Sequence, residues 1–260
     1  MAYHPYHIVE NSPWPVVGSF SGFIFMSSLV FMFHNISLWF MNLCFIILLM
    51  IFYQWWRDIV REATFLGYHT SFVKKSLKLG MLLFILSEVF FFISFFWAYF
   101  HNMLAPDIEI GMLWPPKGVN IFNPYQIPLL NTIILLSSGF TVTWCHHSIL
   151  NKNFFSSKIS LLMTIVLGVY FSFLQGFEYY ESLFCINDGI FGTVFFLMTG
   201  FHGIHVLIGT LFLSVNLIRM LNYHFSSKYH FSFECSAWYW HFVDVVWLFL
   251  YIFVYWWIFN

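Results

Sequence analysis

The run Leu-Phe-Ile-Leu-Ser-Glu-Val-Phe-Phe-Phe, residues 83–92, places a single acid, Glu88, inside an almost unbroken apolar tract that extends from about 77 to 104. A membrane-spanning helix needs about 20 predominantly apolar residues, and this tract exceeds that. Glu88 lies eleven residues into it, which at 1.5 Å per residue is about 16 Å from its start. The acid is therefore expected near mid-membrane. There an ionised carboxylate costs at least about 2.5 kcal/mol, so it must be protonated, paired, or beside water or a lipid headgroup. Two readings follow: a proton- or lipid-linked site, or a neutral acid hydrogen-bonded to a neighbouring helix.

The same apolar reading repeats along the chain. Runs between charged or Pro-containing breaks predict seven spans, at approximately 14–34, 37–57, 77–104, 127–149, 158–181, 189–218 and 233–259, in one polytopic membrane domain covering 1–260. All must be helices, because lipid offers an open segment no other partner for its backbone groups. The third and sixth are longer than a bilayer requires and are expected to tilt or project.

Composition supports this class. Apolar residues make up 60% of the chain, aromatic ones 24% and Asp, Glu, Lys and Arg only 8%, against roughly 25% charged residues in a soluble domain. The net charge of −1 gives no basic face for nucleic acid. The partners expected are lipids and other membrane helices. Cys44, Cys145, Cys185 and Cys235 show no C-x-x-C spacing, so neither a zinc site nor a disulfide framework is indicated. The start, Met-Ala-Tyr-His-Pro-Tyr-His, has no basic region leading into an apolar stretch, and no cleavable signal peptide is expected.

Basic residues set the orientation, since they are retained on the side from which insertion starts. With the N-terminus inside, the inner loops hold Arg57, Arg61, Lys74, Lys75, Lys78, Lys152, Lys158, Arg219 and Lys228, and only Lys117 falls outside. An odd number of spans then puts the C-terminus outside. Trp55 and Trp56 mark the inner end of helix two, and Trp256 and Trp257 the outer end of helix seven, the levels at which amphipathic rings anchor.

Several polar groups need an account. In Tyr-Gln-Trp-Trp-Arg-Asp-Ile-Val-Arg-Glu, 53–62, Arg57 and Arg61 are four apart, as are Asp58 and Glu62, so two cations share one helix face beneath a pair of tryptophans. This is either a phospholipid headgroup site, guanidinium on phosphate, or an interface anchor whose arginines pair with Asp58 and Glu62. His202 and His205 share a face of helix six, but Gly200, Gly203 and Gly209 nearby favour close helix packing, with imidazoles bonding between helices, over a metal. His241 and Asp244, three apart on helix seven, read either as a carboxylate orienting a metal-bound histidine or as two costly groups neutralising each other. Without convergent ligands the second is favoured. His146 and His147 are adjacent, so their side chains diverge by about 100° and mark the inner interface of helix four. No metal and no catalytic residue is expected.

Ten stretches in order carry a resemblance. They are His-Pro-Tyr-His at 4–7, Ser-Pro-Trp-Pro at 12–15, Trp-Trp-Arg-Asp at 55–58, Ser-Glu-Val-Phe-Phe-Phe at 87–92 and Trp-Pro-Pro at 114–116. They continue with Pro-Leu-Leu-Asn-Thr at 128–132, Leu-Gly-Val-Tyr-Phe at 167–171, Glu-Tyr-Tyr-Glu at 178–181, Gly-Phe-His-Gly-Ile-His at 200–205 and Trp-Tyr-Trp-His-Phe-Val-Asp-Val-Val-Trp at 238–247. The chain resembles the third-subunit family of the haem-copper cytochrome c oxidases.

The resemblance implies an all-α membrane protein whose helices one and two splay from a bundle of helices three to seven around a lipid-filled cleft. It implies a core subunit of respiratory complex IV in the mitochondrial inner membrane, N-terminus in the matrix and C-terminus in the intermembrane space. Such a chain supports assembly, stability and proton-pumping turnover. It carries no haem or copper of its own; haem a and copper belong to partner subunits 1 and 2, and accessory subunits complete the complex. Residues matching Trp55, Trp56, Arg57, Arg61, His69 and Arg219 are implied around bound phospholipids, with Glu88 by the cleft. A further cation is expected just after Arg219, where Asn222 stands, and the loop from Glu181 to Asp188 departs from the vertebrate pattern. Two rivals, a self-sufficient proton transporter relaying through Glu88, His205 and Asp244 and a haem-binding electron carrier, are disfavoured by the ordered motifs.

Overall fold

In a computed structural model, residues 4–35 and 38–259 are described. Among them seven helices are long and apolar enough to cross a membrane: α1, Trp14–Phe33; α2, Leu38–Thr64; α3, Ser71–Leu104; α4, Ile127–Leu150; α5, Phe154–Tyr180; α6, Gly189–Leu221; and α7, Phe231–Leu250. The end of α7 widens into a π-helical turn, Tyr251–Trp256, before a last α turn, Trp257–Phe259. The predicted start of the second span, Ser37, lies outside the described residues.

Two helices outrun their apolar tracts by about six residues or more. α2 continues from Arg57 to Thr64, and α3 begins at Ser71, ahead of Lys74, Lys75 and Lys78. Hydropathy marks the part of a helix that lipid can surround, whereas the helix itself ends only where capping or chain geometry stops it. Charged residues are sound helix formers, so both helices carry their basic turns past the apolar stretch. Pro13 and Pro15 open α1, and Pro128 opens α4, where a missing N–H leaves nothing unsatisfied. The Asn153 side chain caps α5 by accepting from the Ser156 N–H at 3.2 Å.

The chain divides into two compact units, Met1–Lys78 and Leu79–Asn260. In the first, α1 and α2 pair antiparallel. Phe31 meets Phe40 and Phe25 meets Phe45, Gly18 lies against Trp55, and the Trp14 indole donates to Asp58 Oδ2 at 2.7 Å. The segment before α1 is held to the start of α3 by Thr70 Oγ1, which donates to the Pro5 carbonyl at 2.6 Å.

The second unit contains the core. Its helices are joined by polar side chains that lipid cannot satisfy. Thr141 of α4 shares a hydroxyl bond with Thr164 of α5 at 2.8 Å, Trp240 Nε1 of α7 donates to Ser138 Oγ of α4 at 2.8 Å, and Trp247 Nε1 donates to Thr132 Oγ1 at 3.0 Å. Close approach is set by glycine. A Cβ at Gly168 would lie 2.6 Å from Trp240 Cη2, and one at Gly209 would lie 2.9 Å from Trp240 Cε3. The Trp240 ring therefore lies between α5 and α6, in space that only two missing side chains provide.

Candidate functional site

Glu88 is held by a histidine from another helix. Its Oε2 lies 2.9 Å from His205 Nε2, while His205 Nδ1 lies 2.6 Å from the Phe201 carbonyl. A carbonyl can only accept, so Nδ1 carries a hydrogen. The proton between Nε2 and Oε2 is then shared: a neutral acid donates to a neutral imidazole, or an imidazolium donates to a carboxylate. Either state satisfies both groups. Phe92 stands edge-on to the imidazole, with ring centroids 5.1 Å apart, and Tyr239 lies parallel to it at 6.3 Å. This aromatic collar belongs to α3 and α7. The structure thus joins two residues that the sequence kept in separate motifs.

His202, one turn before His205, is fully buried and directs Nε2 at the Val243 carbonyl, 3.2 Å away. That bond joins α6 to α7. His241 and Asp244 face each other at ion-pair distance without a hydrogen bond. His241 Nδ1 and Asp244 Oδ2 are 3.9 Å apart, beyond hydrogen-bond range, because His241 is half-exposed whereas Asp244 is buried and turns toward α4. A Cβ on Gly139 would meet Asp244 Oδ2 at 3.0 Å. Shared helix face fixes direction, and the rotamers decide contact.

One buried acid escaped the sequence reading except as part of a motif. Glu178, 1% exposed, accepts from Tyr255 Oη at 2.7 Å. Nearby, the Asn131 amide donates to Gln175 Oε1 at 3.5 Å. Glu178 also lines a cavity of about 310 Å³ with Asn123, Gln126, Pro128 and Glu181. The signal available in sequence was an acid at the end of an apolar tract; its tyrosine lies 77 residues away.

In the first unit the predicted headgroup residues sort by exposure. Trp56, Arg57 and Arg61 are exposed, and Trp56 stacks on Phe52 at 5.6 Å. Arg57 donates through Nε and Nη2 to Asp58 Oδ1, at 3.1 and 3.0 Å. Glu62 faces His7 instead, at 3.8 Å, and His7 packs against His69 and Tyr68. Exposed ion pairs of this kind contribute little. In the second unit, Arg219 lies over the Phe225 ring at 4.8 Å. Among the described residues, two groups bring three metal-capable atoms within 4.8 Å of one another: His7, Glu62 and His69, and His146, His230 and Glu234.

Seven helices long and apolar enough to cross a membrane define a polytopic integral membrane protein. The family model for cytochrome c oxidase subunit III matches residues 4–259. The chain is 58% identical to the cytochrome c oxidase subunit 3 of Rhipicephalus sanguineus, over 99% of this chain and 100% of that protein. It is 57% identical to that of Anopheles gambiae, over 98% of each, and 56% identical to that of Petromyzon marinus, over 98% of this chain and 97% of its relative. The chain belongs to the cytochrome c oxidase subunit III family.

Proposed function

We infer that this chain is a core subunit of cytochrome c oxidase that has no redox centre of its own and sustains the assembly, stability and proton-pumping turnover of its partners. The observation carrying this reading is the match over residues 4–259 to a family named for that subunit. The buried histidines support the absence of a haem ligand: His202 Nε2 and both ring nitrogens of His205 are occupied by protein groups. Electron transfer from cytochrome c to oxygen then belongs to subunits 1 and 2, which carry haem a and copper. The basic residues favour a matrix-side N-terminus and an intermembrane-space C-terminus in the mitochondrial inner membrane.

Phospholipid binding is the second part of the proposal. Exposed Trp56, Arg57 and Arg61 offer an apolar wall below two guanidinium groups, the chemistry of a phosphate headgroup at the interface. Trp55 and His69 complete the proposed contacts of the first unit, and Arg219 of the second unit is proposed as a phospholipid contact of its own. Purification in mild detergent through a tag on this chain tests the whole reading. Oxidase haem bands, two large partner subunits and retained phospholipid are expected; a lone, colourless chain from intact membranes would sink the subunit assignment.

A further inference from the structure

At the end of the second unit where α4 stops and α7 begins, three side chains converge from elements far apart in sequence. His146 lies just before the last turn of α4, His230 immediately precedes α7, and Glu234 is in the first turn of α7. His230 Nε2 lies 3.4 Å from His146 Nε2 and 3.4 Å from Glu234 Oε1. His147, the adjacent histidine, is exposed and takes no part. We propose that His146, His230 and Glu234 form a binding site for a zinc-class divalent cation, joining α4 to the start of α7.

The spacing carries the first argument. A charge-assisted hydrogen bond between imidazolium and carboxylate is about 2.7–2.9 Å long, and 3.4 Å is too long for one. Tetrahedral zinc, with bonds of about 2.0–2.1 Å, holds its ligand atoms about 3.3–3.4 Å from one another. Both measured separations have that value. The separations that make long contacts between the side chains are thus also those of ligand atoms around one ion.

The tautomer carries the second. His230 Nδ1 lies 3.0 Å from the Ser226 carbonyl, which can only accept, so Nδ1 is the protonated nitrogen. Nε2 is then the ring atom turned toward His146 Nε2 and Glu234 Oε1, a position that a proton or a divalent cation can occupy. A histidine that donates its far N–H to a backbone carbonyl is the usual support of a metal ligand, and His230 has that orientation. The supporting loop is itself braced: the backbones of Ser226 and Tyr229 bond each other in both directions, at 3.1 and 3.2 Å.

The donor set selects the ion. Two imidazoles and one carboxylate suit zinc and its first-row neighbours, and leave a fourth position for water. Magnesium and calcium prefer all-oxygen shells. His230 is 5% exposed and Phe233, which is fully buried, packs on His146 at 5.9 Å between ring centroids, so the ion would be shielded on its inner side. Glu234 lies in a first helical turn, where the peptide dipoles favour the anion.

The test is equilibrium dialysis of radioactive Zn²⁺ against chelator-washed complex purified through this chain, for the natural protein and for His146→Gln and Glu234→Gln. The natural protein should bind one zinc per chain that each variant loses or holds at least about tenfold more weakly; equal zinc content and affinity in assembled variants would overturn the site. Should the variants not assemble, anomalous diffraction at the zinc edge from the natural complex decides. A peak among the three ligand atoms supports the proposal, and an empty cluster in crystals soaked with zinc refutes it.

Discussion

In α1 and α2 only Ser21, Ser28, Cys44 and Ile51 are buried, whereas α6 alone buries Thr199, His202, His205, Thr210 and Asn216 besides its apolar side chains. Two helices lying together enclose almost nothing, so their outward faces must be apolar and their specificity sits at the ends: Trp14 on Asp58, and the Trp55–Arg61 turn. Several helices enclosing an interior create a place without water or lipid headgroups, where each polar group needs a named partner. The hairpin is thus adapted to its surroundings and the bundle to itself.

Filling Gly168 should test the bundle most severely. Its missing Cβ faces Thr210 Cγ2 and the Trp240 ring, and overpacking a fitted interior costs about 1–3 kcal/mol, occasionally more. Gly168→Leu is expected to leave little folded chain in membranes, as measured by immunoblot and by the thermal midpoint of what remains. A natural level with an unchanged midpoint would show that the bundle is looser than this contrast requires.

Next comes the acid–imidazole pair. Glu88→Ala leaves His205 Nε2 without its partner, and an unsatisfied buried group costs about 1–3 kcal/mol, so the midpoint should fall by several degrees. Glu88→Gln keeps a hydrogen-bonding group of the same shape and should assemble almost normally while altering sustained turnover. Failure of Glu88→Gln to assemble would make Glu88 a packing group and nothing more.

The hairpin should respond in binding rather than in folding. Arg57→Gln combined with Arg61→Gln is expected to reduce the phospholipids retained in native mass spectrometry, at a stability cost below about 1 kcal/mol. An unchanged lipid count would remove the headgroup reading. Gly18→Ala should do least: its Cβ would meet Trp55 Cζ3 at 3.5 Å, an ordinary contact, and alanine favours the helix. A midpoint lowered by several degrees would abolish the distinction between the two regions.

What could be read from the sequence follows the same division. The seven spans were legible because a bilayer imposes length and apolarity on each segment separately. Glu88 was legible as an expensive residue, and Arg57 and Arg61 as a shared face, since both are properties of a single helix. Partners on other helices were not legible. Periodicity places His205 on a face without saying that Glu88 faces it across 117 residues, and it set His146 apart from His147 without revealing His230, 84 residues on. The extra turns of α2 and α3 escaped because hydropathy reports surroundings rather than backbone conformation. The spacing of His241 and Asp244 put them on one face, but that they stand at 3.9 Å rather than in a hydrogen bond is set by rotamers and by the room beside Gly139.

Trp240, held between Gly168 and Gly209 with its indole N–H on Ser138, also constrains how this chain can change over generations. A larger residue at 168 or 209 is admissible only after the tryptophan has shrunk, while shrinking it first opens a void and strips Ser138 of its donor. Each route between two well-packed solutions crosses a less stable intermediate, so the three positions are expected to drift together or not at all.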